Sequence, residues 1–169
     1  SKYQPKWNST HYGPKVDVCK MIRDETLKAG MRWGVTTHLE RSYSWFQTNK
    51  GADKTGVKAG IPYDGNMLEY QDLYHEYPNF ADLGPDFCQL RSPMVSPQSW
   101  KEMWKNRSID LISRYHPDFF YIDGALPYTD EGGKVGMEVE SFFLNHNAEQ
   151  HGGVCEGFFG IKDIKHHGV

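Results

Sequence analysis

No apolar stretch of this chain approaches the roughly 20 residues that a membrane-spanning helix requires, and its first residues lack the basic-then-apolar pattern of a secretory leader. Cysteine is scarce: Cys19, Cys88 and Cys155 are odd in number, widely spaced and without a Cys-x-x-Cys pair. Such a set excludes a disulfide framework and a zinc knuckle, and the three are expected to be buried thiols. An excess of charge of one sign is also missing. The 19 basic and 22 acidic residues are interspersed and sum to -3, so no face is marked for a polyanion and nucleic acid is not an expected partner. Adjacent His166 and His167 point apart on any regular element and have no third ligand at a supporting spacing, so no metal is expected. The sequons at Asn8 and Asn106 would matter only in a eukaryotic secretory pathway. Aromatic residues, by contrast, make up 14% of the chain, and their rigid amphipathic rings can stack on sugars as well as fill a core.

The chain alternates helix-like and strand-like segments. Residues 14–29 read as a helix, with Val18, Met21, Ile22 and Ala29 on one face and Gly30 as its cap. Residues 31–37 follow at once as a strand, with His38 at the exit. Residues 40–95 are rich in glycine, proline and aromatics without sustained periodicity, which predicts a folded insertion leaving the carboxyl end of that strand. Ser96-Pro97 is a helix start, and Trp100, Met103, Trp104, Leu111, Ile112 and Tyr115 then form a stripe that His116-Pro117 terminates. A third helix is predicted over 137–150, with Val139, Phe142, Phe143 and Leu144, and a third strand over 154–161.

Between the last two helices lies Phe119-Phe-Tyr-Ile-Asp-Gly124. Four consecutive β-favouring residues suit a strand covered on both faces, and the carboxylate at its exit stands where ligands collect in parallel α/β folds. Asp-Gly is also an ordinary turn pair, so this segment alone leaves both roles open. The order of elements predicts a parallel sheet with right-handed helical crossovers. A parallel sheet with unpaired edges at both ends is expected to be a slice of a barrel, so residues 1–169 read as one incomplete α/β domain interrupted by the insertion at 40–95.

Placed on these elements, several segments together resemble the α-L-fucosidases of glycoside hydrolase family 29. They are Ser1-Lys-Tyr3 with Trp7-Asn8, Tyr12-Gly-Pro-Lys-Val-Asp17, Gly30-Met-Arg-Trp-Gly-Val35, His38-Leu39, the stretch from Gly51-Ala-Asp-Lys54 through Gly60-Ile-Pro-Tyr-Asp-Gly65 to Asp72-Leu-Tyr-His75, and Tyr115-His-Pro-Asp-Phe-Phe-Tyr-Ile-Asp-Gly124. The resemblance implies a partial (β/α)8 TIM barrel and a cofactor-free retaining exo-glycosidase that releases α-L-fucose from fucosylated glycans. It further implies Asp123 as nucleophile, with His38 and Trp7 as substrate-binding residues; Tyr121, two residues before Asp123 on the same strand, suits either the substrate-binding face beside it or simple barrel filling, and Trp45 in the insertion is expected at an outer subsite. An extracytoplasmic location is implied in the same way.

Some family features are not met. The paired histidines that the family carries upstream of Ser-Lys-Tyr are not in this sequence, and Thr37 stands where relatives with the His-Leu motif often have glutamate. The family's acid/base glutamate lies downstream of the strand at 154–161, and Glu156, the nearest candidate within the chain, falls at the start of that strand. Two other roles suit the same residues. One is a barrel glycosidase with a different sugar preference, the other a carbohydrate-binding descendant that has lost acid/base catalysis.

Overall fold

A computed structural model describes residues 1–3, 6–39, 55–57, 59–62, 98–123 and 134–162. The insertion, apart from short pieces at 55–57 and 59–62, lies outside the described residues, as do Trp45, Cys88 and the two histidines at 166 and 167.

Helix α1, Val18–Lys28, begins later than its periodicity suggests because Asp17 is the N-cap, its carboxylate accepting from the Lys20 N–H at 2.9 Å. The helix closes in a Schellman arrangement: Gly30 N–H reaches the Leu27 carbonyl and Met31 N–H that of Thr26, which needs the left-handed φ of 72° that glycine adopts freely. Strand β1, Gly34–Thr37, follows. Helix α2, Gln98–Tyr115, leads to β2, Phe119–Ile122, and helix α3, Lys134–Gln150, leads to β3, Phe158–Ile161. The three strands are parallel in the order β1-β2-β3, as the α-β alternation predicts.

The core lies on one face of this sheet. Trp100, Trp104, Ser108 and Ile112 recur every fourth residue along α2, and Val135, Val139, Phe143 and Asn147 do so along α3. All eight are buried, with Lys101 and Gly136 buried beside them, so each helix presents an i, i+4 ridge to its neighbours. Phe120 and Ile122 of β2 meet these ridges with no exposed surface. Phe120, Phe143 and Phe159 form a ring of aromatic contacts, with centroids 5.5 to 6.1 Å apart. Burial on this scale is worth about 1.5–3 kcal/mol per large apolar side chain.

Two expectations change. No residue of α1 is buried, and Met21 and Ile22, on the face its periodicity marks as apolar, are more than half exposed. Helix α1 is held to α2 by polar contacts instead: Arg23 Nε donates to the Tyr115 carbonyl at 2.8 Å, and the Tyr115 hydroxyl donates to Asp17 at 3.0 Å. The cysteines differ too, since Cys19 and Cys155 are exposed. Strand β3 is shorter than the segment 154–161 because the buried Asn147 side chain takes the N–H groups of Glu156 and Gly157, at 2.9 and 2.8 Å, out of the ladder.

Candidate active site

The opposite face of the sheet carries a different set of side chains, layered by the strand register. Gly34, Phe119 and Phe158 form one rung, and Thr36, Tyr121 and Gly160 the next. Phe119 stacks on Phe158 and on Tyr121, with centroids 5.5 and 5.8 Å apart. Gly160 makes room for these rings, because a Cβ there would sit 3.0 Å from both Phe119 and Tyr121. Side chains alternate along a strand, so the residue two positions beyond Tyr121 continues this column. That residue is Asp123.

The rung after Thr36, Tyr121 and Gly160 is formed by the first residue beyond each strand's last pair: His38, Asp123 and Lys162. Ile122 pairs with Thr37 on one side and with Ile161 on the other, which sets the three exits level. The ladder extends one step further on the β3 side, where the Lys162 N–H donates to the Ile122 carbonyl at 3.2 Å. Their side chains converge. His38 Nε2 lies 3.4 Å from Asp123 Oδ2, and Lys162 Nζ lies 2.9 Å from Asp123 Oδ1. Asp123 is 28% exposed, while His38 and Lys162 are each 54% exposed, so the carboxylate is the most sheltered member of a group open to solvent. A partly sheltered carboxylate with an ammonium on one oxygen and an imidazole nitrogen near the other is oriented and within reach of a ligand at the carboxyl end of the sheet.

Sequence reasoning put His38 and Asp123 at strand exits and allowed Tyr121 the face of Asp123, and the register brings the three to one end of one face. It overlooked Lys162, although a signal was present. Phe119-Phe-Tyr-Ile-Asp123 and Phe158-Phe-Gly-Ile-Lys162 have the same pattern, and pairing these strings residue for residue puts lysine beside aspartate.

Two other candidates lie apart from this group. Trp7 stacks on Tyr12, with centroids 5.2 Å apart, and lines a cavity of about 480 Å³ together with Thr37, Leu39, Arg107 and Phe120. The described lining of that cavity includes neither His38 nor Asp123. Glu156 stands at the amino-terminal rim. Arg32 bridges it to Asp118, with Nη2 3.2 Å from Glu156 and Nη1 3.1 Å from Asp118, and the Asp118 carboxylate also accepts from the Trp33 N–H at 3.0 Å. Hydrogen bonding to Glu156 first, then to Asp118, raises the already high pKa of the Arg32 guanidinium. Six residues of extended chain separate Glu156 from Lys162, roughly 20 Å at the usual rise. A retaining pair of carboxylates stands about 5–5.5 Å apart, so Glu156 is not positioned to work with Asp123.

Among the described residues no group of three or more His, Cys, Asp or Glu side chains could hold a metal, and no helix is long and apolar enough to cross a membrane. The sequence profile described as Alpha-L-fucosidase matches residues 1–157. No curated protein matches the chain.

Proposed function

The chain belongs to the alpha-L-fucosidase family, a family of glycosidases, and on that premise we propose that it carries the nucleophile of a retaining exo-glycosidase acting on α-L-fucosides. The observation that carries this reading is the position of Asp123: a carboxylate at the carboxyl exit of the central parallel strand, flanked at the same level by His38 and Lys162. Helices on one face of the sheet and a layered column of aromatic residues on the other suit a segment of a (β/α)8 barrel, in which that end of the strands holds the catalytic groups.

In this mechanism an Asp123 oxygen attacks the anomeric carbon as the bond to the aglycone oxygen breaks. A second, protonated carboxyl group delivers its proton to the departing oxygen. That group is to be sought outside the described residues, since Glu156 is bound to Arg32 on the other rim. Water then takes the sugar from the ester and gives its proton to the second carboxylate. His38 stands where its imidazole can donate to a sugar hydroxyl, and Tyr121, next in the column, can form part of the floor under the ring. Trp7 and Trp45 are proposed as outer contacts to the glycan.

The test uses the intact protein that contains this chain. Asp123→Gly should lower turnover of an aryl α-L-fucoside by several orders of magnitude, because the covalent step loses its nucleophile while the rest of the pocket stays in place. Azide added to that variant should attack the anomeric carbon from the vacated side and give the β-fucosyl azide, the inverted product of a single displacement. Near-normal activity of Asp123→Gly without azide, or labelling of a different carboxylate by a mechanism-based fluoro-sugar, would overturn the assignment. Comparing a panel of aryl glycosides fixes the sugar preference.

A further inference from the structure

We infer that Lys162 is a positioning residue for the nucleophile, keeping the Asp123 carboxylate ionised and fixing which of its oxygens attacks. The inference rests on Asp123 being the nucleophile. It starts from an asymmetry in how the carboxylate is held. Lys162 Nζ sits 2.9 Å from Oδ1, the distance of a charge-assisted hydrogen bond, whereas His38 Nε2 sits 3.4 Å from Oδ2. The two side chains come from the strands on either side of β2, so they flank the carboxylate from opposite directions.

The backbone fixes the lysine as firmly as the aspartate. Lys162 N–H donates to the Ile122 carbonyl at 3.2 Å, so the two residues leave adjacent strands on the same rung. From that anchor the lysine side chain reaches the Asp123 carboxylate. The pair is not a stability device: Lys162 is 54% exposed, and solvent screening leaves such pairs worth little to the fold. Its effect is local. Among the described residues the charged or titratable groups facing Asp123 from the neighbouring strand ends are His38 and Lys162, with Tyr121 two residues earlier on its own strand. An ammonium in direct contact favours the charged form of the carboxylate, which is the form that attacks.

The division of labour between the two oxygens follows. Oδ2, the oxygen away from the ammonium, forms the bond to the anomeric carbon while the aglycone oxygen leaves with the proton of the second carboxyl group. Oδ1 becomes the carbonyl oxygen of the resulting ester. There the Lys162 ammonium keeps its hydrogen bond, and when water attacks the anomeric carbon the electron pair returns to a carboxylate already matched to a cation. Lysine thus serves both halves of the reaction without touching the sugar.

The experiment uses Lys162→Met and Lys162→Arg in the intact protein, with an aryl α-L-fucoside as substrate and a mechanism-based fluoro-sugar as label. Lys162→Met keeps the stem and loses the charge. It should lower kcat by about a hundredfold, the scale of a misplaced reacting group, with a much smaller change in KM. The acidic limb of its kcat/KM profile should move to higher pH, and Lys162→Arg should restore most of the rate. Lys162→Gln serves as the second neutral variant, and near-ultraviolet circular dichroism verifies that each variant folds. If Asp123 is labelled while both neutral variants keep wild-type kcat and an unmoved acidic limb, the role of Lys162 is overturned and the nucleophile stands. A loss that arginine fails to restore assigns lysine a merely structural place and likewise overturns the inference. Labelling of another carboxylate overturns the nucleophile reading itself.

Discussion

At the turn between α2 and β2, one residue both stops a helix and sets an imidazole against a second histidine. His116 takes a left-handed φ of 46°, uncommon for a residue with a Cβ, and its N–H closes the helix on the Ile112 carbonyl at 2.9 Å. Pro117 then bars any further turn. The His116 ring stacks on His146 of α3, with Nδ1 2.8 Å from the His146 Nε2, and His146 in turn stacks on Phe142. Although much of His116 is exposed, partial burial lowers its pKa from the usual 6.5, helped by His146 and by Arg23 of α1. A histidine whose folded pKa is depressed contributes stability that is fully present above the unfolded value and is lost as pH falls through the folded one. Urea midpoints should therefore drop between about pH 6.5 and the lower folded value. His116→Asn, which tolerates the left-handed backbone and does not titrate, should show a flatter acid side. Equal slopes for the two proteins would remove His116 from the explanation.

Among the elements, α2 and α3 carry the stability and α1 does not. All the buried residues of α3 except Gly136 lie on the 135, 139, 143, 147 ridge, and Phe143 meets both Phe120 and Phe159. Leu144, one position further round, is 37% exposed. Phe143→Ala should therefore cost about 3–5 kcal/mol and Leu144→Ala about 0.5 kcal/mol or less, measured by chemical denaturation. Similar costs for the two would mean that the ridge does not define the interface. The stripes of α2 and α3 were legible because a helix packed on a sheet must repeat its apolar residues near every fourth position. In α1 the same rule pointed to Met21 and Ile22, which are exposed. Periodicity reports that a helix has an apolar side; it does not report what that side meets.

For the molecule as a whole, the consequence lies in the sheet face that no helix among the described residues covers. Phe158 is 65% exposed and Phe119 38%, and both belong to the aromatic column that ends at Asp123. Exposed apolar surface next to a parallel edge invites association. A polypeptide of these 169 residues should bind a hydrophobic dye such as anilinonaphthalene sulfonate and self-associate at micromolar concentration. Phe158→Lys on the same polypeptide should weaken both, since a charge is added to the face without disturbing the helix side. A monodisperse protein that leaves the dye dark would show that this face is already covered.

Sequence alone determined the alternation of helices and strands, the strand running into Asp123, and His38 and Asp123 as strand exits. Those features depend on local chemistry: β-favouring runs, an N-cap, a proline stop, and the two-residue alternation of a strand. Tertiary structure decided the rest. It put Lys162 against Asp123, because register between β2 and β3 is a non-local choice made by the packing of Phe120, Phe159 and Ile161 on the helices. It also tied Glu156 to Arg32 on the far rim, because a carboxylate's partner is whichever cation the fold brings within reach, and spacing along the chain does not name it.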